Sequence, residues 1–136
     1  MAATRNAFDS AGRKVGDWSE PDAHGGVMVG EYVDGDRQGL WRHFFADGRL
    51  RSEGEYRNGA LHGKWTWYRA AGGMLQRGGF FEGEKHGRWE RWTAEQTLID
   101  SGDWSHGKKI GDWISYNPDG TVRRTTHRRG RPLASS

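Results

Sequence analysis

Six histidines are the first candidates for chemistry in this chain of 136 residues. His62 and His86 each stand directly before a glycine that lies two residues ahead of a tryptophan, and His24 and His106 also precede glycines. Imidazoles ligate zinc and act as bases near neutral pH. Equivalent loops of successive hairpins are two strands, ~10 Å, apart, too far for two imidazoles to share one metal at bonds of about 2.1 Å. Loop chemistry is therefore the expectation for these four. The carboxylates are scattered over turns and polar positions, with nothing to raise a pKa for acid–base work. Ser101, Ser105 and Ser115 stand in no visible arrangement with His and Asp, although a triad need not be sequential. The 22 glycines contain no G-x-x-x-x-G-K-[ST] phosphate loop. With no cysteine there is no thiolate nucleophile, no disulfide framework and no cysteine-based zinc site. The expectation is a protein that is not an enzyme and uses neither cofactor nor metal.

The glycines and aromatics follow a period instead. Trp41, Trp65, Trp89 and Trp113 recur every 24 residues, with Trp18 one residue closer. Tyr32, Tyr56, Phe80 and Trp104 keep the same spacing, as do Gly30, Gly54, Gly78 and Gly102 and then Gly35, Gly59, Gly83 and Gly107. Gly16, Gly39, Gly63, Gly87 and Gly111 each precede a Trp by two. Chance does not hold five columns in register, so the chain is a repeat protein. Only 33% of residues are hydrophobic and mean hydropathy is −0.99, yet eight Trp, five Phe and four Tyr are too many for a solvated coil. Large rings must supply most of the buried area.

Each unit reads as a β-hairpin. Asp47-Gly48 is a strong signal for a type I′ turn, repeated by Asp119-Gly120. Ala71-Gly72 holds the same place and Glu95-Gln96 is the exception. This turn pairs Phe45 with Leu50, His43 with Ser52 and Trp41 with Gly54, and likewise Trp65 with Gly78 and Trp89 with Gly102. In the last hairpin Thr126 takes the glycine's place. A glycine opposite each indole leaves a bare backbone for the ring to cross. Period-2 alternation then puts Trp41, His43, Phe45, Leu50 and Tyr56 on one face, with the column Leu50, Met74, Leu98 and Val122. Phe44, Tyr68, Trp92 and Tyr116 fall on the opposite, mostly polar face. The expected architecture is all-β: an elongated, twisted single antiparallel sheet of about five tandem β-hairpins, about ten strands in all.

Units such as Gly54-Glu-Tyr56-Arg-Asn-Gly59-Ala-Leu-His-Gly63-Lys-Trp65-Thr-Trp-Tyr68 resemble MORN repeats, and are most similar to the bacterial variant form. The resemblance covers roughly residues 12 to 130. It implies an extended sheet of hairpins without catalytic residues, and roles in protein binding, scaffolding and, in some members, contact with anionic lipid. Many short bacterial members are described as antitoxin-like. The resemblance therefore extends to an antitoxin- or immunity-like protein that occludes a toxin.

Internal repetition preserves what the fold needs, whereas a partner-specific surface has no reason to repeat. The columns His43, Trp67, Arg91, Ser115 and Phe45, Arg69, Thr93, Asn117 follow no rule. Trp, Arg and Phe are also types enriched in binding hot spots. The expected partner surface is thus Trp67, Phe45, Arg69 and Arg91, with His43 alongside. Strand addition at the open sheet edges is a second mode, and the chain is expected to be a monomer or an edge-to-edge homodimer.

Charge points to an alternative. Arg123, Arg124, Arg128, Arg129 and Arg131 cluster after the last acidic residue, Asp119, and without them the other 16 Lys and Arg face 18 acidic residues. These five arginines are the candidate anion-binding residues, through which the chain would reach anionic lipid or nucleic acid. Arg123 and Arg124 also suit an edge strand guarded against aggregation. The expected organisation is an N-terminal segment 1–11, a repeat domain 12–127 (about 12–35, 36–59, 60–83, 84–107 and 108–127) and a basic tail 128–136, both ends disordered. No apolar run reaches the ~20 residues of a membrane span, and no signal-peptide core precedes Ala11. A cytoplasmic location is expected.

Overall fold

A computed structural model describes residues 5–128 and 130–132. Arg129, one of the candidate anion-binding residues, lies outside them. Among the described residues thirteen strands form one open antiparallel sheet that does not close into a barrel. They are β1 Ala7–Phe8, β2 Lys14–Pro21, β3 Val27–Val33, β4 Asp36–Phe44, β5 Leu50–Arg57, β6 Ala60–Tyr68 and β7 Met74–Phe81, followed by β8 Glu84–Lys85, β9 Gly87–Trp92, β10 Leu98–Ser105, β11 Lys108–Tyr116, β12 Val122–Arg128 and β13 Arg131–Pro132. Each strand pairs with its neighbours in sequence, except that β7 pairs with both β8 and β9. The chain exposes 9055 Å², against roughly 7,000 Å² for a compact globule of this mass. A single-layer ribbon accounts for the excess.

Trp41 pairs with Gly54, Trp65 with Gly78 and Trp89 with Gly102, as the spacing requires. The indole that covers each glycine, however, belongs to the following unit. A methyl group built on Gly30, Gly54, Gly78 or Gly102 would lie 2.0–2.5 Å from ring atoms of Trp41, Trp65, Trp89 or Trp113 respectively. Each of those indoles then donates its N–H to the carbonyl one residue past the glycine: Glu31, Glu55, Gly79 and Asp103, at 2.9–3.1 Å. Beside Glu31, Glu55 and Asp103 a bulge in the paired strand accompanies this contact, and Gly79 O accepts the His86 N–H at 2.9 Å as well as the indole. The glycine two residues before each Trp, at φ 66–88°, supplies the left-handed backbone there. For Trp18, which has no preceding unit, Ala7 of β1 provides the carbonyl at 3.2 Å and Phe8 packs edge-on at 5.2 Å.

The turns divide into two kinds, and the expected type I′ turn is at the other end of the hairpins. Asp34-Gly35, Asn58-Gly59, Glu82-Gly83 and His106-Gly107 have positive φ at both positions, which is the type I′ signature. The N–H of each turn glycine reaches back to the start of its own unit, to the carbonyls of Lys14, Arg37, Leu61 and Lys85, at 2.9–3.0 Å. At the Asp47-Gly48 end only Gly48 has positive φ, at 89°. There Gly48 N–H bonds to Phe45 O and Phe45 N–H to Arg49 O, the pattern of a type I turn closed by a glycine bulge. Gln96 occupies the same left-handed position at φ 66°. Its side-chain amide accepts from Met74 N–H at 2.8 Å and donates to Met74 O at 3.1 Å, which ties its strained turn to the neighbouring hairpin.

The shifted turn corrects the register at the tips. Leu50 pairs with Phe44 rather than Phe45, Met74 with Tyr68, Leu98 with Trp92 and Val122 with Tyr116. Opposed residues share a face, so the column Leu50, Met74, Leu98, Val122 lies with Phe44, Tyr68, Trp92 and Tyr116, opposite the tryptophan ladder. The last hairpin has no such irregularity, and Trp113 therefore meets Thr125, with Thr126 opposite Asp112.

The core is a one-dimensional ladder. Trp18, Tyr32, Trp41, Trp65, Trp89 and Trp113 are its buried hydrophobics. Edge-to-face pairs run from Trp18 through Tyr32, Trp41, Tyr56, Trp65 and Phe80 to Trp89, with centroids 5.1–6.4 Å apart. Gly54→Ala or Gly102→Ala forces a methyl into an indole and is expected to cost ~1–3 kcal/mol in urea unfolding. Gly48→Asn, with no atom within 4 Å of a new Cβ, is expected to cost about 1 kcal/mol or less, since Asn tolerates the left-handed region. Equal losses for the two classes would contradict the ring-on-glycine account.

Candidate functional site

The column of residues that break the repeat is a continuous row across the ladder face. Pairing runs Glu20, Met28, His43, Ser52, Trp67, Gln76, Arg91, Asp100, Ser115 and Arg123, each opposite the next. The row lies two residues along from the tryptophans and so flanks the ladder. Trp67 is half-buried in it, stacked between Trp65 at 5.9 Å and Trp89 at 5.6 Å, with interplanar angles of 28° and 30°. Arg91 holds both oxygens of Asp100, at 3.0 and 2.6 Å. His43 Nε2 lies 2.6 Å from Asp22 Oδ2 of the previous hairpin tip.

Phe45 and Arg69 sit apart from this row, at the first position of the hairpin-tip loops. The Arg51 guanidinium stacks on Phe45 at 5.5 Å, and Arg69 Nη2 donates to Trp92 O at 2.9 Å. Both therefore have work within the fold. The structure brings His43, Trp67 and Arg91 together and leaves Phe45 and Arg69 at the margin.

Spacing arguments passed over a second column. Lys14, Arg37, Leu61, Lys85 and Lys109 stand at one position of the repeat, and all except Leu61 place their cation over the ladder. Lys14 is 4.7 Å from the Trp18 centroid, Arg37 4.6 Å from Trp41, Lys85 4.6 Å from Trp89 and Lys109 4.6 Å from Trp113. Cation–π contacts of this kind are worth about 0.5–2 kcal/mol. The signal was present: four of the five residues are basic, two positions after the turn glycine wherever one precedes them. Two shallow clefts result. One of about 190 Å³ includes Arg37, His43, Ser52, Leu61 and Trp67. The other, about 340 Å³, includes Gln76, Lys85, Arg91, Asp100, Trp104 and Lys109.

The basic cluster is split by the sheet. Arg123 pairs with Ser115 on the ladder face, while Arg124 pairs with Ile114 on the other face. Arg128 and Arg131, placed in the tail by the sequence reading, pair across the β12–β13 turn, whose Gly130 N–H bonds to Lys109 O like the earlier turns. Strand spacing bears on equivalent loops, and one histidine pair at non-equivalent positions does meet. His86 and His106 have ring centroids 4.8 Å apart, because the unit-linking turn folds back onto the start of its own unit. His86 Nδ1 there accepts from His106 N–H at 3.3 Å, as Gln38 does from Asn58 N–H at 2.8 Å. Among the described residues no group of three or more His, Asp or Glu is placed to hold a metal ion.

Asp22 is the most perturbed carboxylate in the row's surroundings. The His43 hydrogen bond, followed by the backbone N–H groups of His24 and Gly26, lowers its pKa from 3.8 to about 2. A depressed carboxylate pKa stabilises the fold fully above the unfolded value and is lost as pH falls through the folded one. The Asp22–His43 tether is therefore expected to hold above pH about 4 and release as pH drops toward 2. His43 ring resonances followed by NMR should show that transition, and Asp22→Asn should remove it.

No curated protein matches the chain. No helix among the described residues is long and apolar enough to cross a membrane. Residues 37–58, the β4–β5 hairpin, match the family model for the MORN repeat variant, a kind of repeat that generally serves as a protein- or lipid-binding module.

Proposed function

We propose that the ladder face is a docking surface for another protein, centred on Trp67, with His43 and Arg91 beside it and Phe45 and Arg69 at its margin. The observation that carries this reading is the row itself. The tryptophan ladder, the turn glycines and the indole hydrogen bonds repeat because the scaffold needs them. The row beside them changes from His to Trp to Arg to Ser at equivalent positions. Its central Trp67 adds an indole where the other units have none, on a rigid sheet that loses little entropy on binding. Trp and Arg at the centre of a preformed aromatic surface fit the anatomy of a binding hot spot.

The specific role that we propose is antitoxin- or immunity-like: the face would cover a partner's active site by surface complementarity. Family resemblance supports that finer assignment, and the row supports the binding.

Affinity capture from the source cells tests the reading, using wild type, Trp67→Ala, Arg91→Ala and a variant with the C-terminal arginines changed to Gln. One stoichiometric protein retained at ~0.3 M salt, where surface charge is largely screened, is the expected result. Trp67→Ala should weaken it by about 2 kcal/mol or more, roughly 30-fold. Toxicity of that protein when expressed alone would make the antitoxin role concrete. Unchanged binding by both Trp67→Ala and Arg91→Ala would overturn the choice of surface. Lipid or nucleic acid captured only at low salt, and lost with the arginines, would favour the basic cluster as the functional element.

A further inference from the structure

The two ends of the ladder face are built on one plan but differ in charge. In the first unit Glu20, two residues after Trp18, sits in a cage of three donors. Lys14 Nζ lies 3.2 Å from Oε2, while the Tyr32 hydroxyl at 2.5 Å and Arg37 Nη2 at 3.6 Å approach Oε1. The cage comes from fixed repeat positions: the cation of its own unit, the aromatic after the covered glycine, and the cation of the next unit. In the fourth unit the same positions hold Lys85, Trp104 and Lys109. The place of Glu20 is taken by Arg91, which turns aside to Asp100.

That cleft has three cations and one carboxylate, Asp100, which Arg91 already holds. Among the described residues neither Lys85 nor Lys109 has a carboxylate within ion-pair distance, and the Asp100 carboxylate already accepts both hydrogen bonds of Arg91. Both ammonium groups nonetheless lie 4.7 and 5.9 Å from the Trp104 ring, half-buried in a cleft of about 340 Å³. The ionisation of the two ends agrees with this. The Glu20 hydrogen bond raises the pKa of Lys14, whereas burial, followed by the charges of Arg91 and Lys109, lowers that of Lys85.

We infer that the cleft formed by Lys85, Arg91, Trp104 and Lys109 is a socket for a carboxylate side chain from an acidic segment of a protein partner. Charge complementarity has an internal template here, since the first unit shows a glutamate, Glu20, between the two cations at these positions. An incoming carboxylate would gain charge-assisted hydrogen bonds in a partly desolvated, aromatic-walled site. It would also relieve the repulsion between the Lys85 and Lys109 ammonium groups. The socket rests on the reading of the ladder face as a protein-docking surface and names the chemistry of what docks there.

The test uses the full chain and four probes: an N-acetylated glutamate peptide, its glutamine counterpart, inorganic phosphate and phosphatidylserine vesicles. Binding is read from the indole N–H resonances of Trp104 and Trp113 and from titration calorimetry. The glutamate peptide is expected to bind saturably and at least about tenfold more tightly than the glutamine peptide. Lys85→Gln combined with Lys109→Gln should weaken it about tenfold, while Lys14→Gln, which removes a cation already paired, should leave it unchanged. Arg91→Glu combined with Asp100→Asn places an acid between Lys85 and Lys109, as Glu20 stands between Lys14 and Arg37. It is expected to abolish peptide binding and to raise the Lys85 pKa, with the ladder's edge-on ring shifts intact. Equal peptide affinity in wild type and the double lysine variant would overturn the socket. So would phosphate or vesicles that bind through Lys85 and Lys109 more tightly than the peptide. Trp67→Ala separates the two readings: lost capture of the cellular partner with peptide binding retained keeps both. Retained capture with lost peptide binding in the lysine variant would fault the docking centre and keep the socket.

Discussion

The structure depends on an indole lying flat on a glycine of the preceding strand while its N–H reaches the carbonyl beside that glycine. One contact supplies burial, direction and register together. The missing side chain lets the ring approach the backbone, and a bulge accompanies the accepting carbonyl at Glu31, Glu55 and Asp103. The same unit of contact joins Gly30 to Trp41, Gly54 to Trp65, Gly78 to Trp89 and Gly102 to Trp113. Because each ring crosses a unit boundary, the contact is an interface between units and not the interior of one. A protein with few aliphatic residues can then hold a long sheet without a central core. The short β1, which presents the Ala7 carbonyl and Phe8 ring to Trp18, supplies at one end what a preceding unit supplies elsewhere.

This economy leaves the two faces unequal. On one side the aromatics and their cations form a continuous ladder. The other side carries ion pairs such as Arg42–Glu53 and Arg77–Glu90 beside a thinner apolar column near the hairpin tips. Exposed ion pairs of this sort contribute little to stability, so the ladder and its nearest-neighbour interfaces dominate. Positions next to the ladder are free to vary because the fold does not need them. In the row from Glu20 to Arg123 that freedom has produced, at equivalent places, an acid caged by cations, a stacked indole and an arginine held by an aspartate.

Charge shows the same separation of scaffold from variation. The cations over Trp18, Trp41, Trp89 and Trp113 belong to the scaffold, and Lys14, Arg37, Lys85 and Lys109 contrast in what stands beside them. Glu20 pairs with the first two, whereas the last two face Arg91. A repeat architecture makes such a contrast readable, because every unit serves as the reference for the others.

Much of the fold was legible in the chain itself. The 24-residue spacing of Trp and Gly set the hairpin repeat, the Trp–Gly pairing in the middle of each hairpin and the membership of the row through His43, Trp67 and Arg91, because period-2 alternation needs only a correct pairing sum. What tertiary structure decided came from single-residue irregularities and from contacts between units. A glycine bulge at Gly48 moved Leu50 from Phe45 to Phe44 and carried the whole Leu50–Val122 column to the other face. Composition does not distinguish a type I turn with a bulge from a type I′ turn at Asp-Gly. The fold-back of the unit-linking turns brought His86 within 4.8 Å of His106, a contact between non-equivalent positions that strand counting does not address. Which unit's indole covers a glycine, and which carboxylate reaches which cation, depend on bulges and twist across a unit boundary. A repeat pattern records that such partners exist; only the packed sheet chooses among them.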